Sequence, residues 1–303
     1  MWLRWIVQQT VRQPELAREL LGPLWAQSEP PSGEAAARRP STSASPQASS
    51  PPPPPENFLP CDAVLIFALG IEAGGVVDQL LEAETSRQPH GIEHAGRWHS
   101  REVVVVEGGV GPAAAARATA EAIRFYQPRY VISAGFAGAL TDELKRGQLL
   151  LADEVVNPAG QVFQVGLKLS SPGASAGWHV GRLLSVESVV RTPQERRAWA
   201  AKTQALACDM ETFAVAHTCR QWGVPLIAVR VISDAVDDEL PPEIAHLLQQ
   251  RTLAGRLGAA AGAVFRRWGA ARDLWRLHEE ALKASDRLAR FLGGLVQQLP
   301  PAS

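Results

Sequence analysis

Cysteine is scarce in this chain. Its 303 residues include only Cys61, Cys208 and Cys219, too few and too irregularly spaced for a disulfide scaffold or a zinc site. A reducing, cytoplasmic setting is therefore expected. No apolar run approaches the ~20 residues of a membrane-crossing helix. The N-terminus also lacks the apolar core and small-residue cleavage site of a secretory signal. Charge of one sign is missing too: the formal net charge is −1, and no basic stripe is interleaved with aromatics. General nucleic-acid binding is thereby excluded. A hydrophobic content of 46% over this length permits one well-buried domain with appendages, or two small ones.

Composition divides the chain into four segments. Residues 28–56 are rich in Pro, Ser and Ala and include five consecutive prolines, Pro51 to Pro55. Such a segment buries too little apolar surface to offset its ordering entropy and reads as a disordered or extended linker. It tethers residues 1–27, where Trp2, Trp5, Leu16, Leu20 and Trp25 mark one or two apolar helical faces. That piece docks on the domain or a partner, or else makes weak membrane-surface contact through its Trp and Arg residues. Residues 57–268 form the main domain. In 269–303, Leu274, Leu277, Leu288, Leu292, Leu295 and Leu299 fall at three- and four-residue spacings, the mark of an amphipathic helix whose apolar face needs a cover.

Within the domain, apolar runs at 63–69, 103–107, 130–134, 148–156, 182–185 and 226–233 read as strands. Stretches 112–126, 210–222 and 243–267 read as helices, and this alternation implies an α/β layered fold on a parallel or mixed sheet. His90, His94 and His99 lie in a polar stretch resembling a hairpin, where Gly91 and Gly96 argue against a helical pair of metal ligands. No metal is expected.

Three glycine-rich turns follow strands, at Gly70–Gly75, Gly108–Gly111 and Gly135–Gly138. None has the spacing of a dinucleotide fingerprint or a phosphate loop. Further along stand Asp209-Met210-Glu211-Thr212 and the strand end Arg230-Val231-Ile232-Ser233-Asp234. Two carboxylates and an arginine thus sit at the ends of neighbouring elements, where an open α/β sheet binds ligands. An arginine inside an apolar run needs a carboxylate partner. For Asp234 a helix N-cap, and for Glu211 a place in a first helical turn, are the structural alternatives.

These blocks, in this order, resemble the nucleoside phosphorylase and nucleosidase superfamily. Within it they are most similar to 5′-methylthioadenosine/S-adenosylhomocysteine nucleosidases, over most of residues 62–266. The resemblance implies a three-layer α/β/α fold with a central mixed sheet, a homodimer, and hydrolysis of a purine nucleoside without metal or organic cofactor. It also implies roles. Asp234 is the acid at the purine, holding a proton through burial, and Glu72 takes a proton from water. Glu211 grips the ribose hydroxyls, Met210 packs on the ribose, and Arg230 orders the carboxylates. Val189 and Val190 offer backbone to the base, Ser233 lies beside the acid, and Gly135 and Phe136 border the water. Phe136 departs from the small hydroxyl residue of the family, and the stretch 157–181 is short for the insertion over the 5′ substituent. An adenosyl-lipid nucleosidase, a phosphorylase and a non-catalytic nucleoside-binding protein remain open alternatives.

Overall fold

A computed structural model describes residues 59–165, 177–240 and 270–299, with the side chains of the last segment from residue 279. The segments 1–27 and 28–56, and the helix expected over 243–267, lie outside the described residues.

The first half of the domain runs β1 (Ala63–Phe67), α1 (Gly70–Val77), β2 (Leu81–Gln88), β3 (Gly91–Trp98), β4 (Arg101–Glu107), α2 (Pro112–Tyr126) and β5 (Tyr130–Ala139). The second runs β6 (Leu149–Val156), β7 (Val162–Gln164), β8 (Trp178–Ser185), α3 (Pro193–Thr203), β9 (Ala207–Asp209), α4 (Thr212–Trp222), β10 (Leu226–Asp234) and α5 (Ala270–Gln298).

All these strands belong to one mixed sheet. β10 lies parallel to β5 and antiparallel to β6, β6 is parallel to β8, β8 to β9, and β9 returns antiparallel to β5. Those five strands close a ring. From β5 the sheet continues outward through β1, β4, β3 and β2. β1 is buried along its whole length, as befits a strand flanked by parallel neighbours and covered on both faces.

Alternation along β1 sets the layers. Val64 and Ile66 join α2 and α4 residues such as Ala118 and Val215 in one core. Ala63, Leu65 and Phe67 join Ala73 and Val76 of α1 and Leu288 and Leu292 of α5 in the other. Each fully buried Val, Leu, Ile or Phe among them contributes about 1.5–3 kcal/mol. Helices therefore cover both faces, giving the α/β/α arrangement with a central mixed sheet. The helix starts are local: Thr192 and Glu195 form a reciprocal capping box on α3, and Pro112 opens α2.

Several elements differ from expectation. β5 extends to Ala139 because its second half pairs with both β10 and β9. β8 begins at Trp178, where it gains β6 as a parallel partner. The turn at Gly70–Gly75 is a helix, α1, and α4 starts at Thr212 rather than at residue 210, because Asp209 ends a strand. Neither α3 nor the three-residue β9 was anticipated; their signals are too short or too polar to stand out.

Candidate active site

Register brings the site together. Parallel pairing sets Ser133 of β5 against Ile66 of β1 and Ala228 of β10, and Gly135 against Arg230. Whatever follows these strands converges at one edge.

Arg230 lies in the middle of apolar β10 and is 3% exposed. Its Nε and Nη2 donate to Oδ2 of Asp209 at 3.0 and 2.7 Å. Nη2 also reaches the hydroxyls of Ser133 (2.8 Å) and Thr212 (2.6 Å), and Nη1 the Val229 carbonyl (2.9 Å). Asp209 in turn accepts the Thr212 N–H at 3.0 Å and the Ser185 hydroxyl at 2.5 Å. The Ser185 hydroxyl accepts the Phe213 N–H at 2.9 Å. A buried ion pair is tolerable only when its remaining lone pairs and protons are satisfied in this way.

Glu72 occupies the third position of α1 and is buried. Its Oε2 accepts the N–H groups of Ala68 (3.1 Å) and Leu69 (2.9 Å), and its Oε1 that of Phe136 (2.8 Å). Burial pushes this carboxyl above its ordinary range, against the pull of the Phe136 N–H and the Arg230 charge. Gly135 is the residue that lets Glu72 come so close, since a Cβ there would stand 2.9 Å from Oε1.

Glu211 sits at the N-cap position of α4 without capping it. Its Oε1 accepts the Gly111 N–H at 2.7 Å, and its Oε2 the Met210 N–H at 3.3 Å. Burial, then the Asp209 charge, pushes its pKa up to about 8; the Gly111 N–H opposes the shift.

Glu72, Gly135, Phe136, Glu211 and Arg230 line one cavity of about 10 Å³. That is room for about one water. Phe136 packs against the core under α1 and α5, and its amide holds Glu72.

Asp234 ends β10 just after a register shift. Its Oδ2 pairs with Arg196 of α3, and its Oδ1 accepts the Ser233 hydroxyl at 2.5 Å. Arg196 is fully buried and also donates to the carbonyls of Ala139 and Ala235, both at 3.2 Å. The carboxylate is thus met by a guanidinium and a hydroxyl, and it caps no helix.

Val189 and Val190 lie apart from the small cavity. With Asn157, Val186, Ser188 and Trp199 they bound an open cleft of about 470 Å³, a size that suits a small organic ligand. Met210 packs on the same cluster as Val190 and Trp199.

The sequence assigns no site role to Asp209 and Thr212, although both stand in the quoted block, nor to Ser185 or Arg196. Asp209 had a signal, being the acidic residue nearest in the quoted block to answer the arginine of an apolar strand. Arg196 had none, because it is indistinguishable in sequence from Arg197, which pairs with the exposed Asp237.

A family model described as the Phosphorylase superfamily matches residues 62–178 and 173–264, well over half of the chain. The chain belongs to the phosphorylase superfamily. A 5′-methylthioadenosine/S-adenosylhomocysteine nucleosidase of Shewanella sp. (strain W3-18-1) is 29% identical over 202 residues, 58% of this chain and 87% of that protein. The S. pneumoniae nucleosidase of the same name, solved with the transition-state inhibitor MT-ImmA, aligns with a TM-score of 0.60 at 20% identity. It covers 78% of this chain and 99% of its own. The Colwellia psychrerythraea nucleosidase in complex with adenine gives a TM-score of 0.59 at 20% identity, covering 80% and 97%. In this member of the phosphorylase superfamily, the matched residues include every part of the site just described.

Proposed function

We propose that this chain is a purine nucleosidase: it hydrolyses the N-glycosidic bond of a 5′-modified adenosine of the methylthioadenosine or adenosylhomocysteine type and releases adenine. The observation that carries this reading is the water-sized cavity bordered by Glu72, Glu211 and Arg230. A water there loses its proton to Glu72 as its oxygen bonds to C1′ of the ribose. The C1′–N9 bond breaks, its electron pair goes to the purine, and Asp234 hydrogen-bonds or protonates N7. Raised above the ordinary carboxylate range, Glu72 is a stronger base than a solvated glutamate. Glu211 accepts the ribose hydroxyls, and once ionised its charge favours the cationic ribosyl group of the transition state. Met210 packs on the ribose. Val189 and Val190 border the purine, Ser233 supports Asp234, and Gly135 and the Phe136 amide hold Glu72 in place.

Phosphorolysis is less well supported. A phosphate dianion needs uncommitted cations, and the one guanidinium lining the cavity, Arg230, is matched by Asp209. Two further carboxylates border the same space and repel an anion. Relatives named as nucleosidases point the same way. A homodimer in the cytoplasm is the assembly and setting that fit this reading. No helix among the described residues is long and apolar enough to cross a membrane. An adenosyl lipid is the runner-up substrate, favoured by the open cleft beside Val189.

The test is adenine release from 5′-methylthioadenosine, S-adenosylhomocysteine and adenosine in phosphate-free buffer, followed by a phosphate titration. Turnover independent of phosphate is expected. A rate proportional to phosphate, with ribose 1-phosphate formed, would replace hydrolysis by phosphorolysis. Micromolar binding without turnover would leave a binding protein.

A further inference from the structure

α1 cannot hold its own position. It has eight residues, three of them glycines (Gly70, Gly74 and Gly75), whereas isolated helices shorter than about 12–15 residues are marginal even with good helix formers. Yet it carries Glu72, whose carboxylate must sit correctly against a space that admits one water. Something outside α1 has to fix it.

That something is α5. The two helices cross so closely that a Cβ on Gly75 would lie 2.9 Å from the Ser285 carbonyl oxygen and 3.1 Å from the Ser285 hydroxyl. At this crossing Ser285, itself buried, makes two hydrogen bonds to the α1 backbone. Its Oγ accepts the Gly75 N–H at 3.0 Å and donates to the carbonyl of Glu72 at 3.1 Å. The second bond is to the very residue assigned as base. α5 is in turn fixed on the rest of the domain. Leu288, Leu292 and Val296 are buried in the core, Arg101 donates to the Leu299 carbonyl at 2.5 Å, and Arg146 links Glu280 to Asp238 at 2.8 Å each. Residue 285 lies beyond residue 264, the last one matched by the family model.

We infer that Ser285 is a positioning residue for Glu72: it pins the backbone of α1 so that the carboxylate faces the water cavity. This rests on the assignment of Glu72 as base made above. The two backbone contacts, three residues apart in α1, converge on one hydroxyl and hold Glu72 and Gly75 together at the crossing.

The experiment is steady-state adenine release from 5′-methylthioadenosine by the full chain, with substitutions Ser285→Ala and Ser285→Cys, each also in a Glu72→Gln background. Ser285→Cys keeps an atom of similar size that bonds only weakly, and serves if the alanine variant folds poorly. Both should lower kcat by roughly 10- to 100-fold, the cost of a small misplacement at the reacting group. KM should stay within about twofold, because substrate contacts are untouched. In the Glu72→Gln background the same substitutions should change the rate by less than about twofold, since nothing is left to position. Asp286→Ala, on the exposed side of α5, should leave activity unchanged.

Equal losses in both backgrounds would mean a general loss of structure and would overturn the inference. So would an unchanged kcat for Ser285→Ala beside an impaired Glu72→Gln, which would leave the nucleosidase mechanism standing. Full activity in Glu72→Gln itself would remove the base assignment, and the inference with it.

Discussion

Arg230 places two of its nitrogens on the same oxygen of Asp209, Nε at 3.0 Å and Nη2 at 2.7 Å, and that oxygen also receives the Thr212 N–H. One carboxylate therefore joins β9, the start of α4 and the middle of β10. Asp209→Ala would leave a buried guanidinium without its counter-charge, and removing one partner of such a pair costs about 3–5 kcal/mol. The urea midpoint should fall accordingly. Asp209→Asn keeps the shape and loses the charge, so it should fall less while still losing most activity.

The sheet core was legible because β1, β4, β6 and β10 are apolar runs bounded by turns, a pattern that survives without tertiary information. Within the candidate site, Arg230 stands out as a charge inside an apolar run and Asp234 as a carboxylate at the end of that run. What escaped had a physical reason. α1 is a short, glycine-rich helix packed on the sheet and on α5, and no periodicity could announce it. The partners of Asp234 and Arg230 arise from pairing between strands distant in sequence; Arg196 reaches Asp234 from a helix whose sequence is mainly polar.

Stability should depend on pH through Glu211. Its folded pKa, pushed up to about 8, lies above the ordinary value of 4.5. Between those two values the folded state binds the proton more tightly than the unfolded chain, so this group's contribution falls as pH rises from about 4.5 to about 8 and is flat above. Glu211→Gln abolishes that slope. The expected outcome is a variant with a higher Tm than wild type at pH 8 and a smaller difference at pH 5, measured by thermal melts across that range. Adenine release should meanwhile fall roughly 100-fold or more, as when an electrostatic partner of a transition state is removed.

Catalysis should show a displaced acid limb. Glu72 must be ionised to accept a proton, and burial raises its pKa above the usual carboxylate range. The fall in kcat/KM on acidification should accordingly begin at a higher pH than a solvated glutamate would give. Because Glu211 and Glu72 interact, the limb reports the pair rather than either residue. Gly135→Ala, whose Cβ would crowd Oε1 of Glu72 at 2.9 Å, should alter the midpoint of this limb and lower kcat. A limb at the midpoint of an ordinary glutamate would count against Glu72 as base.

Gly138 offers a way to move Asp234 without changing its chemistry. A Cβ at this position would lie 2.6 Å from Asp234 Oδ2 and 3.0 Å from Arg196 Nη1, so the ion pair has to adjust. Arg196 is anchored by the carbonyls of Ala139 and Ala235, which leaves Asp234, at the register shift that ends β10, as the part that yields. Gly138→Ala should therefore lower kcat for adenine release by roughly 10- to 100-fold through misplacement of the acid. Asp234→Asn, which removes the group, should cost about 100- to 10,000-fold. The informative comparison is substrates with different leaving groups. A purine analogue whose base departs without help at N7 should narrow the gap between wild type and both variants, because Asp234 then has nothing to assist. If both variants lose the same factor on that analogue as on 5′-methylthioadenosine, Asp234 acts on the fold or on the ribose instead, and its assignment at the base is wrong.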